Sequence, residues 1–220
     1  EKGLLFSTKN LALSTGGNLL NDGEGGIVSK KGMSLKASGK IENKGHIEAK
    51  KSVSADTDNT LDNSGSIYSD SDIVLSSVQT IVNSVSGVIK SIGSQEITSK
   101  SAGFNNQGKI ESKTDSVILT AHDDMENSGS IIAHQDITSI GSQNINNSGS
   151  ILASKDTKLK TLGKFVNSKD ANIGSGKNLT LVAEDDIDNR GEILALNGTA
   201  SIKSNENIIN REGGSISTEL

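Results

Sequence analysis

The chain has 220 residues, 22 of them basic and 27 acidic, with no cysteine, tryptophan or proline and only four aromatic side chains, Phe6, Tyr68, Phe104 and Phe165. A net charge of -5 lacks the basic excess of a nucleic-acid binder. The missing cysteines exclude a disulfide framework and a thiolate metal site, and no apolar run approaches the roughly 18 residues of a membrane helix.

An average chain of this length would hold about 11 prolines. Their absence suits strands paired on both edges, because proline has no N–H to give to a ladder. The opening stretch EKGLLFSTKN is not a signal peptide. Both ends fall inside a repeat, so residues 1–220 read as a single segment, an internal fragment of a longer protein.

The first coil sets out the repeat in order: Leu5, a small residue at Ser7, the apolar pair Leu11 and Leu13, a small residue at Thr15, then Leu19, Asn21 and Gly23. Later coils repeat its columns. The aliphatic column opened by Leu5 continues through Ile27, Ile47, Ile67, Ile89, Ile110, Ile131, Ile151, Ile173, Ile193 and Ile216. The pair recurs as Met33 with Leu35, Ile73 with Leu75, Val117 with Leu119 and Leu179 with Leu181. The column opened by Leu19 includes Ile41, Leu61, Ile81, Phe104, Met125, Ile145, Phe165, Ile187 and Ile208.

Asparagine closes each coil, at Asn21, Asn43, Asn63, Asn83, Asn106, Asn127, Asn147, Asn167, Asn189 and Asn210, with intervals of 20–23 residues. Seven of them have a glycine two residues on. After Asn21, Asn83, Asn167 and Asn210 two extra residues precede the isoleucine, which predicts enlarged turns at one corner. The stretch from Val85 to Gly103 is the least regular, and there Gln95 takes a position that is apolar in most coils.

Apolar and polar positions alternate at period two, the mark of strands. Turns of Asn, Gly, Asp and Ser separate them. Three short strands per coil cannot pair as hairpins in this order. Winding the chain so that equivalent strands lie side by side predicts an all-β fold, a right-handed parallel β-helix of about ten coils of 20–23 residues. At about 4.8 Å per coil the rod would be roughly 48 Å long. The asparagines then form a structural amide ladder.

The repeat NSGSI, a small residue and a two-strand apolar pattern resembles the filamentous haemagglutinin repeat family. NSGSIIAHQDI, NSGSILASKDT and NRGEILALNGT carry the likeness best, and about ten copies cover nearly the whole chain. The resemblance implies the β-helical stalk of a large exoprotein, secreted to the outer surface of a Gram-negative bacterium through a two-partner secretion pore in the outer membrane. The family includes virulence adhesins and the effectors of contact-dependent growth inhibition. The family's NPNGI-type secretion motif, an Arg-Gly-Asp tripeptide and a toxin domain are all missing from these residues.

No catalytic, cofactor or metal site is expected. The acidic pairs Asp56 and Asp58, Asp70 and Asp72, Asp123 and Asp124, and Asp185 and Asp186 fall at different phases of the coil and lack the calcium-binding nonapeptide pattern. His46, His122 and His134 share no column. Lys30, Lys50 and Lys113 share an offset but read as a turn surface, not a basic stripe. Coils of even length leave no long loop to wall a substrate groove. The sequons at Asn178 and Asn197 are read as chance.

Three functions follow: adhesin stalk, stalk of a contact-dependent inhibition effector, or a segment that itself binds a host or bacterial receptor. For the third, an outward apolar stripe of Phe6, Val28, Tyr68, Ile132, Leu152 and Leu194 is the candidate face. The chain is expected to be a monomer whose exposed strand edges allow end-to-end stacking.

Overall fold

The computed structural model describes residues 3–141 and 143–219, and among them there is no helix. Thirty-one strands of three to five residues follow one another, and each coil gives one strand to each of three parallel sheets. The first sheet has eleven strands, from Leu4–Ser7 to Ser215–Glu219. The second has ten, from Leu11–Thr15 to Ala200–Ser204, and the third ten, from Leu19–Asn21 to Ile208–Asn210. The architecture is a right-handed parallel β-helix of about ten coils with three strands in each.

Pairing keeps like beside like. Leu5, Ile27, Ile47, Ile67 and Ile89 are successive partners down the first sheet. Ile73 pairs with Gln95 and Gln95 with Val117 in the second, so the register holds through the irregular stretch from Val85 to Gly103. A one-residue slip would turn every inward side chain outward, and the alternating pattern forbids it. The inward columns fuse into one core running the length of the rod, with Phe104 and Phe165 filling it where most coils have Ile or Leu.

The small inward residues sit where the chain turns. Their hydroxyls donate to turn carbonyls of their own and the preceding coil. Ser29 Oγ donates to Lys9 O at 2.8 Å and Gly32 O at 3.0 Å; Ser175 Oγ donates to Lys155 O and Asn178 O, both at 2.6 Å. Two core positions at the head of the second-sheet strands are polar and share one solution. Gln95 Nε2 donates to Glu111 O at 2.7 Å and Thr157 Oγ1 to Gly174 O at 3.0 Å, each reaching the neighbouring first-sheet strand of the next coil.

The four coils with two extra residues absorb them as β-turns at the corner between the third and first sheets. The closing bonds run from Gly25 N to Asp22 O (2.7 Å), Gly87 N to Ser84 O (2.7 Å), Ala171 N to Ser168 O (3.2 Å) and Gly214 N to Arg211 O (2.8 Å). Asp170 and Gly213, at φ of 64° and 83°, occupy the third turn position in the last two. Each turn returns the chain to register, as Val88 N bonding to Gly65 O at 2.9 Å illustrates.

Candidate functional site

The ten asparagines stand in one column at the end of the third sheet. Each Nδ2 donates to the Oδ1 of the next, from Asn21 to Asn43 (2.7 Å) through Asn106 to Asn127 (2.8 Å) to Asn189 to Asn210 (2.8 Å), nine bonds in unbroken series. The second amide hydrogen turns to backbone carbonyls, as from Asn43 Nδ2 to Ser66 O at 3.1 Å and from Asn189 Nδ2 to Ser215 O at 3.1 Å. An amide carries both donor and acceptor, so identical side chains can stack head to tail. From Asn43 to Asn189 each amide oxygen and nitrogen is engaged within the column or by the backbone.

Beside it runs the glycine column, and its cause is close approach. A β-carbon on Gly65 would lie 2.0 Å from Gly45 O, and one on Gly129 would lie 2.1 Å from Gly108 O. Coils with an enlarged turn keep this glycine two residues later, at Gly25, Gly87 and Gly214. Only the coil at Ala171 departs from it. The sequence pattern, read at a fixed offset from asparagine, missed this displacement.

Two further ladders also escaped it. Asp or Asn just before a strand accepts the backbone N–H of the next coil: Asp136 Oδ1 from Asp156 N (3.0 Å), Asp156 Oδ1 from Asn178 N (3.0 Å), and Asn178 Oδ1 from Thr199 N (3.2 Å). At the other corner Asp124 Oδ1 accepts from Asn144 N at 3.0 Å, and Asp186 Oδ1 from Asn207 N at 3.2 Å. One member of several acidic pairs is thus structural: Asp72, which accepts from Ser94 N at 2.8 Å, joins Asp124 and Asp186. The legible signal was Asp or Asn directly before an apolar residue. Among the described residues no three His, Cys, Asp or Glu side chains gather into a group able to hold a metal ion.

The stripe of Phe6, Val28, Tyr68, Ile132, Leu152 and Leu194 does fall in one outward column of the first sheet, but it is not a continuous apolar face. Glu48 lies between Val28 and Tyr68, and Lys90 and Glu111 lie between Tyr68 and Ile132. The expectation considered the apolar members of the column without the charged ones that share it. Lys90 Nζ stands 3.1 Å from Glu111 Oε2, and Lys109 Nζ is equally close. Two uncharged runs remain, Phe6 with Val28 and Ile132 through Leu152 to Leu194. Gly174 lies between the last two, and a β-carbon there would meet Leu152 Cδ2 at 2.8 Å.

The same face carries a charged network on the third and fourth coils. His46 Nδ1 lies 2.6 Å from Ser66 Oγ and its Nε2 2.9 Å from Glu48 Oε2. Lys50 reaches Glu48 at 2.9 Å and Asp70 at 3.2 Å and lies over the Tyr68 ring. His46 and Lys50 hold the Glu48 carboxyl below its ordinary range. The Tyr68 hydroxyl and Lys50 do the same for Asp70. On the third sheet Lys40 and Lys44 flank Glu42 and push it down to about 2.

His122 and His134 lie apart from this network, exposed in turns. The described surface carries shallow grooves, one of them of about 670 Å³ at the first coil. The chain matches no protein-family model, no curated protein and no solved structure.

The arrangement is suited to holding length and direction. The same three strands recur in register from coil to coil while the outward residues vary.

Proposed function

We propose that this chain is a non-catalytic spacer: a β-helical stalk segment of a large adhesin, exported by two-partner secretion and held at the outer surface of a Gram-negative cell. The observation that supports it most is the unbroken asparagine ladder, nine consecutive side-chain bonds that tie every coil to the next. The likeness of NSGSI and its neighbours to filamentous haemagglutinin repeats supplies the parent and the export route.

A spacer is defined by length, so whole coils should be dispensable. Residues 64–127 run from one NSGSI to the next and comprise three coils. Their deletion joins Asn63 to Ser128 in register. In the parent protein the shortened rod should still be exported and still adhere, with a shorter reach. Export with loss of adhesion would show that these coils bind the target and would overturn the spacer reading. Sequencing the reading frame on both sides separates the parents. A nuclease-like or pore-forming end followed by an immunity-like frame makes the rod a contact-dependent inhibition stalk.

A further inference from the structure

The second sheet turns two outward columns to solvent, and among the described residues its strands expose three large apolar side chains, Val74, Ile118 and Ile140. Ile118 with Thr120 on the sixth coil and Thr138 with Ile140 on the seventh make an uncharged, β-branched centre. Opposite charges flank that centre on its two sides. Glu96 on the fifth coil and Lys158 on the eighth continue the column of Ile118 and Thr138 in either direction. Both are exposed, and neither has an ion-pair partner among the described residues. Three coils, about 14 Å, separate them, too far for them to meet within one chain. Farther out in the neighbouring column, Asp56 on the third coil and Lys203 on the tenth repeat the arrangement, although Asp56 also touches Lys100.

Opposite charges at equal distances from a centre are what a self-complementary, isologous contact requires. A two-fold axis laid along the strands, between the sixth and seventh coils, keeps each residue in its column. It exchanges the sixth coil for the seventh, the fifth for the eighth and the third for the tenth. Ile118 then faces Thr138, Thr120 faces Ile140, Glu96 faces Lys158 and Asp56 faces Lys203. Parallel pairing instead sets acidic coils against acidic and basic against basic, which like-charge repulsion disfavours.

We infer that two copies of this chain pair side by side and antiparallel through the outer face of the second sheet, with Glu96 of each against the partner's Lys158. This departs from the monomer expected of the sequence. The facing strands, from the third coil to the tenth, cover roughly 38 by 17 Å, about 1,300 Å² over both copies. That area is at the lower limit of a specific interface, so the pairing is weak and depends on concentration. The exposed apolar side chains of the first coil, Leu4, Leu5, Phe6 and Leu20, belong to the first and third sheets and lie outside this face.

Sedimentation equilibrium of the full chain, at concentrations up to roughly 1 mM, tests the pairing. Wild type should dimerise in that range, and less as salt rises. E96K and K158E, each at an exposed outward position, should keep the circular dichroism spectrum of wild type. Each alone should lose at least tenfold in dimer affinity, because it sets like charges together at both ends of the contact. Mixed one to one, the two variants should recover affinity as a heterodimer, because one contact then joins the two reversed charges and the other the two native ones. Neither a parallel pair nor end-to-end stacking gives that recovery. A wild-type chain monomeric at roughly 1 mM, reversals that leave association unchanged, or a mixture no tighter than its components would each overturn the inference.

Discussion

Asn106 Nδ2 donates to Asn127 Oδ1 at 2.8 Å while its own Oδ1 accepts from Asn83 Nδ2 at the same distance. Asn106 is fully buried, so neither bond can be replaced by water. Changing Asn106 to Ala leaves Asn127 Oδ1 without its donor, while Asn83 Nδ2 keeps its bonds to Gly87 O and Lys109 O, so the cost should be about 1–3 kcal/mol, that of one unsatisfied buried group. Asn106→Asp removes the donor and adds a carboxyl whose folded pKa burial must raise. A raised acid pKa stabilises relatively below the unfolded value near 4 and destabilises as pH rises through it. The Asp variant should therefore melt progressively lower between pH 4 and 7, against a flatter wild-type profile. A pH-independent melting temperature for this variant would mean the ladder position is wet.

Glycine at the corner should be irreplaceable where the turns touch and free where they do not. Gly65→Ala places a β-carbon 2.0 Å from Gly45 O, a backbone atom that cannot step aside without moving the preceding coil. The expected loss is about 3 kcal/mol or more, at the upper end of overpacking costs. Gly23→Ala meets nothing within 4 Å and should be nearly silent. Urea denaturation of the two variants side by side checks the pair. Comparable stabilities would show that the corner can open.

The columns that build the core were legible because one period places the same residue type at the same height in every coil: Ile47, Ile67 and Ile89 are both a sequence pattern and a stack. The amide column of Asn43, Asn63 and Asn83 was legible for the same reason. What was lost lies in interactions that do not repeat. The displaced glycines Gly25 and Gly87 follow a turn of different length, so a fixed offset passes over them. The outward stripe was overread because a pattern search collects Tyr68 and Ile132 and passes Lys90 and Glu111 between them. Pairings such as Lys90 with Glu111 occur once, and periodicity carries no information about single events.

Gln95 is such an event inside the core. It is 1% exposed, its Nε2 donates to Glu111 O at 2.7 Å, and its Oε1 has no partner. Column neighbours Ile73 and Val117 are aliphatic. Gln95→Leu is close in volume and removes the orphaned acceptor, so it should stabilise by about 1–3 kcal/mol. A rise in melting temperature, with faster-exchanging amides of residues 95–99 becoming more protected, is the expected result. A fall would mean that the bond to Glu111 O outweighs the buried acceptor.

Among the described residues Asp188 is the most enclosed carboxylate, 4% exposed although it occupies an outward position of the third sheet. Both arginines of the chain converge on it. Arg211 binds both oxygens, Nε to Oδ1 and Nη2 to Oδ2, each at 2.8 Å, and Arg190 Nε lies 3.5 Å from Oδ1. The Arg211 contact holds the Asp188 carboxyl below its ordinary range. A depressed acid pKa gives stability that is present above the unfolded value near 3.9 and is lost as pH falls through the folded value. Because Arg211 belongs to the turn after Asn210, the stability at stake is that of the last coil. Lowering the pH below 4 should release amide protection in residues 208–219 before the central coils respond. Arg211→Gln should remove most of that local pH dependence and lower protection of the same residues at neutral pH, because a planar two-point contact becomes at best a single amide bond. If acid opens the central coils first, or if the variant protects residues 208–219 as well as wild type does at neutral pH, the pair does not fasten the last coil.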